Sequence, residues 1–92
     1  MINYDHFAAK LGLSPHELEQ ASLRTFIQHR LHLLESRLMD LSRKFGVKTI
    51  EDLDQLIQDG KVHEQEGFEE YFEFDNLEAE RDLLLESLKE LD

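Results

Sequence analysis

Ile27, Leu31, Leu34, Leu38, Leu41 and Phe45 follow one another at spacings of 4, 3, 4, 3 and 4. That alternation places all six on one stripe of an α-helix. Signals at both ends fix its bounds. Ser14 is an N-cap, Pro15 stands at the first helical position, and Glu17 completes a capping box, with Leu13 and Leu18 at the staple positions. Gly46 closes the run, with Arg43 and Lys44 in the last turn, where cations suit the helix dipole. The pattern predicts one helix over 14–45, about 48 Å long at about 1.5 Å per residue. A second stripe, Phe74, Leu77, Arg81, Leu84, Leu88 and Leu91, has the same 3/4 spacing and predicts a helix over 67–91. Phe68, Tyr71 and Phe72 widen its start.

Two shorter helices fill the rest. Asn3 caps a helix over 3–11 whose apolar face is Phe7, Ala8 and Leu11, with Gly12 as its left-handed stop. Thr49 caps a helix over 49–59 on Ile50, Leu53, Leu56 and Ile57, with Val47 as the staple and Gly60 as the stop. No alternation of period two occurs. The expected fold is all-α, a single domain over 1–92. A long antiparallel helical hairpin carries a short helix at its turn and another at its N-terminus. With Phe45 near Phe68, Leu91 falls near Ser22, so the long helix projects past its partner.

Some apolar residues lie off the main stripe. With Ile27 and Leu34 at heptad position d, Phe26 and Leu33 fall at c and Leu23 at g. A second stripe on one helix implies a second contact. Either the helix over 3–11 folds over it, or it is an interface. The expected assembly is a homodimer making a four-helix bundle, with a different, basic protein as the alternative occupant.

Charge sharpens the second choice. Residues 1–50 carry 7 Lys/Arg against 5 Asp/Glu, and residues 51–92 carry 3 against 16, for a net charge of -11. So acidic a second half repels nucleic acid and anionic lipid and attracts basic surfaces. Glu69, Glu70, Glu73, Asp75, Glu78 and Asp82 are the candidate acidic contacts, beside Leu23, Phe26 and Leu33 as apolar anchors. Glu78, Asp82 and Glu86 repeat like charge along one face, which must be wet or matched by a basic partner.

Candidate chemistry is sparse. There is no cysteine, and neither a nucleophile elbow nor a Gly-rich phosphate loop is present. His29, His32 and Glu35 are spaced by three, which fits neither a one-helix zinc site nor paired Glu-x-x-His motifs. The reading is non-catalytic, with no cofactor and no metal. No stretch nears the roughly 18 apolar residues of a membrane span, and no signal peptide is expected. The expected setting is cytoplasmic.

Two resemblances follow. Phe7-Ala8-Ala9-Lys10-Leu11-Gly12-Leu13-Ser14, followed by Leu18, resembles the core of a helix-turn-helix, with Ala8, Gly12 and Leu18 at the family's small, turn and locking positions. That resemblance implies a DNA-binding regulator. The following helix departs from the family in offering His16, Glu17, Glu19 and Gln20 where phosphate contacts need Lys or Arg. The whole chain is similar to small helical archaeal and bacterial proteins associated with toxin–antitoxin systems, on the antitoxin side. The resembling segments are Leu11-Gly12-Leu13-Ser14, Lys44-Phe45-Gly46-Val47, Glu51-Asp52-Leu53-Asp54, Gly60-Lys61-Val62-His63-Glu64 and Phe74-Asp75-Asn76-Leu77-Glu78. This similarity implies a protein that masks a basic toxin or nuclease-like partner. The preferred function is therefore a protein-protein interaction module. The alternatives are a helix-turn-helix-like DNA-binding regulator and a structural homodimer with no ligand.

Overall fold

A computed structural model describes residues 2–92, the side chains of Glu64 and Glu66 excepted. Four helices follow in order: α1 (Tyr4–Leu11), α2 (Pro15–Phe45), α3 (Ile50–Gln58) and α4 (Glu64–Leu91). No strand occurs among the described residues. The molecule is a rod of 60 × 22 × 20 Å, built on a hairpin of α2 and α4. No helix of the described residues is long and apolar enough to cross a membrane.

The boundaries follow from local chemistry. Asn3 accepts from the His6 N–H at 3.2 Å, and Gly12 ends α1 at a φ of 75°. The Ser14 hydroxyl accepts from the Glu17 N–H at 3.0 Å, while the Glu17 carboxylate accepts from the Ser14 N–H at 3.2 Å. Both members of the capping box are thus in place, satisfying donors that the helix itself leaves open. Thr49 accepts from the Asp52 N–H at 3.2 Å and starts α3.

The start of α4 differs from the sequence reading. The helix begins at Glu64, three residues before the expected 67. His63 is its N-cap and makes no side-chain cap bond, so no Ser, Thr or Asp marks the start. Gly67, read as the beginning, lies buried inside the helix. A Cβ there would stand 2.9 Å from Val62 Cγ1 and 3.1 Å from Ile57 Cγ1. Glycine lets α4 close onto the end of α3 and the loop after it.

The core is the two stripes meeting. Ile27, Leu31, Leu34, Leu38 and Leu41 of α2 are buried with Phe74 and Leu84 of α4, and Leu77, Leu88 and Leu91 pack against them half-buried. Val47 and Leu53 extend the same cluster under α3. Burial of this one seam is the main favourable term, at about 1.5–3 kcal/mol for each large apolar side chain. Arg81 is the exception on the stripe: it lies half-buried with its guanidinium 3.6 Å from Glu78 and from Asp82. The helix ends meet where Arg24 bonds Asp92 at 2.9 Å. α2 therefore extends a further two turns or more beyond α4, and α1 contacts that projecting end.

Candidate interaction surface

The hairpin has two edges, and they differ chemically. Taking Leu31 and Leu38 as heptad a, the residues Arg30, Arg37 and Lys44 stand seven apart at g. Taking Phe74 and Leu84 as a and d, Glu73 and Glu80 also stand seven apart at g. Arg30 donates two bonds to Glu80, both 2.7 Å. Arg37 donates two to Glu73, at 2.6 and 2.7 Å. Lys44 donates to Glu70. The two arginine contacts are fork-to-fork and fix geometry as well as charge. Their hydrogen bonds hold the Glu73 and Glu80 carboxyls below the ordinary range and raise the Arg30 and Arg37 guanidinium groups above theirs; Coulombic attraction adds to this, and partial burial opposes it. One edge of the hairpin is thus a row of cations on α2 facing a row of anions on α4.

The six acidic candidates divide under this geometry. Glu70 and Glu73 belong to the ion-pair row, committed to Lys44 and Arg37. Glu69, at c, lies exposed outside that row. Asp75, Glu78 and Asp82 fall at b and e, on the opposite edge. Glu78 is committed within the chain: it accepts from the Ile50 N–H at 3.2 Å and lies beside Arg81. So the expected like-charge face is matched in part by the chain's own Arg81 and by the backbone at the start of α3. Asp75 is exposed, and the Asp82 side chain is 75% exposed. Periodicity gives each helix its own face. It does not give the register between helices, and the register decides which carboxylates are used internally.

The apolar candidates stay uncovered. Leu23 is 46% exposed, Phe26 66% and Leu33 48%. α1 packs on α2 without shielding them. α4 adds a residue that the sequence reading missed: Leu83 is 64% exposed. It lies at c on α4, as Phe26 and Leu33 do on α2, so the rule that found those two would have found it. Stepping one heptad from the Arg30–Glu80 pair places Leu23 opposite Ser87. Phe26 and Leu83 then lie at one height, flanking the same edge. On the other edge, Met39 and Leu85 are also exposed, and Glu35, Leu38, Met39, Phe74, Glu78 and Arg81 line a shallow groove.

The N-terminal corner forms as a tight helix–Gly–helix junction, with the Leu13 N–H donating to the Ala8 carbonyl at 2.8 Å. Of the residues that would face DNA, Glu17 is held in its own capping box. Among the described residues no three His, Cys, Asp or Glu side chains form a group that could hold a metal ion.

A family model described as the uncharacterized protein MJ0235 family matches residues 1–92. The chain belongs to that family. No curated protein and no solved structure matches it. For this MJ0235-family chain the residues themselves must therefore carry the functional argument.

Proposed function

We propose that this chain is a non-catalytic helical interaction module whose acidic arm masks a basic protein, in the manner the antitoxin-like resemblance implies. The observation that carries the reading is the charge left after internal pairing. Arg30, Arg37 and Lys44 are bonded to carboxylates of α4, and Arg24 to Asp92 just past its end. Asp75, and Asp82 with only a 3.6 Å contact to Arg81, lie seven residues apart and stay exposed on the other edge beside exposed Leu85 and Met39. Aligned carboxylates beside exposed apolar side chains suit a basic partner with an apolar centre, and the surplus negative charge speeds its encounter.

The test is capture of partners by the tagged intact chain in its native cells, compared with an Asp75→Lys, Asp82→Lys variant. The expected result is a basic protein recovered by the unmodified chain, released by raised salt and lost with the variant. Recovery of the same proteins by both chains, or of acidic proteins alone, would overturn the reading.

A further inference from the structure

The ion-pair edge has a property that the acidic edge lacks: it is complementary to itself. We propose that a second copy of this chain docks on the edge formed by Leu23, Phe26, Arg30 and Leu33 of α2 with Glu80 and Leu83 of α4. The two-fold axis lies parallel to the hairpin, so that α2 of each copy covers α4 of the other. The proposal deepens the interaction-module reading by assigning one of the two edges to self-association and leaving the other for the basic protein.

The argument is geometric. Face-to-face packing of two hairpins by a two-fold axis in the interface plane has two simple solutions. An axis across the helices stacks α2 on α2, setting Arg30, Arg37 and Lys44 against their own copies, and the acids of α4 against theirs. An axis along the helices stacks α2 on α4. It places the cation row of each copy over the anion row of the other, at unchanged height. Every Arg30 then meets two Glu80 carboxylates, one in its own chain and one in the partner, and every Arg37 meets two Glu73. The same operation brings Phe26 of one copy over Leu83 of the other, because the two lie at one height. An isologous contact requires that kind of reciprocity, and charge selects this axis over the alternative.

The size is adequate. From Leu23 to Lys44 the strip is about 32 Å long at about 1.5 Å per residue. Across the 22 Å width of the rod, that gives a footprint of about 700 Å² per copy, near the roughly 800 Å² per partner of stable interfaces. The apolar centre is Phe26, Leu33 and Leu83 of both copies, ringed by the ion pairs, the arrangement of an interface with a dry middle and a charged rim. The opposite edge has no such solution: Asp75 and Asp82 stand exposed there, and α3 projects from it, as its Ile50 N–H bonded to Glu78 shows.

The test uses the intact chain at about 150 mM salt, since net charge of -11 on each copy repels strongly at low ionic strength. Sedimentation equilibrium should give a dimer in the micromolar range. Phe26→Asp and Leu83→Asp should each weaken it by at least about tenfold while helicity stays as in the unmodified chain, and melting matches it once both are diluted to monomer. Because the chain has no cysteine, single variants report the axis. Phe26→Cys mixed with Leu83→Cys should form a disulfide-linked heterodimer faster than either variant links to itself. A monomer at 100-fold higher concentration would overturn the proposal. So would a dimer in which Phe26→Cys links best to itself, because that is α2 on α2. Loss of the captured basic protein on Phe26→Asp, with a monomeric parent chain, would also overturn it and assign the edge to that protein. Loss on Asp75→Lys, Asp82→Lys alone bears only on the acidic edge.

Discussion

Phe74 is the side chain on which the hairpin most depends. It is 2% exposed and belongs to the cluster that joins Leu34 and Leu38 of α2 to Val47 and Leu53 beneath α3. Replacing it by Ala removes a ring from the cluster where α2, α3 and α4 meet. Large aromatic truncations at such sites cost about 3–5 kcal/mol. Marginal stability of about 0.05–0.15 kcal/mol per residue gives a chain of this length roughly 5–14 kcal/mol in all. The variant should thus lose about a fifth or more of its stability and melt lower by upwards of about 12 °C, at about 4–8 °C per kcal/mol. Phe72 is the control: two residues away, it is 60% exposed, and Phe72→Ala should stay within about 0.5 kcal/mol. Urea unfolding followed by circular dichroism measures both, at one fixed protein concentration, since self-association adds to apparent stability. Equal losses in the two variants, or a loss below about 1 kcal/mol for Phe74→Ala, would refute the packing argument.

The ion-pair row sets a response to acid. Glu73 and Glu80 have folded values below the ordinary carboxyl value of 4.5, so their contribution is whole above that value and is lost as pH falls through the lower folded one. The unmodified chain should lose more stability below about pH 4.5 than a Glu73→Gln, Glu80→Gln variant does; parallel acid titrations of the two chains would contradict this. Gly67→Ala should fail to deliver the gain of about 1 kcal/mol that replacing glycine in a helix ordinarily gives, because the new Cβ meets Val62 at 2.9 Å; a clear gain in urea midpoint would show that α3 and its following loop yield freely.

Legibility in the sequence tracked how local each signal was. The caps at Asn3, Ser14 and Thr49, and the left-handed stops at Gly12, Gly46 and Gly60, depend on a few neighbouring residues, and each stands where its local pattern implied. The buried stripes depend on spacing within one helix and were equally readable. The start of α4 was not, because His63 caps without a side-chain bond and Gly67 serves α3 rather than the helix end. The acidic residues were the hardest. Glu70 and Glu73 resemble Asp75 and Asp82 in the sequence, and only the register between α2 and α4 shows that the first two are used across the hairpin, while Glu78 is taken by the Ile50 N–H at the start of α3 and by Arg81 three residues on. The spacing of Arg30, Arg37 and Lys44 by sevens was the available clue.

The central claim is that the two edges of this hairpin have different occupants, and hydroxyl-radical footprinting of the chain at rising concentration tests it residue by residue. The account predicts that Phe26, Leu33 and Leu83 become protected together through the micromolar range, while Met39, Phe72 and Leu85 keep their reactivity. Protection of Met39 and Leu85 instead, or unchanged reactivity at all six positions, would contradict it.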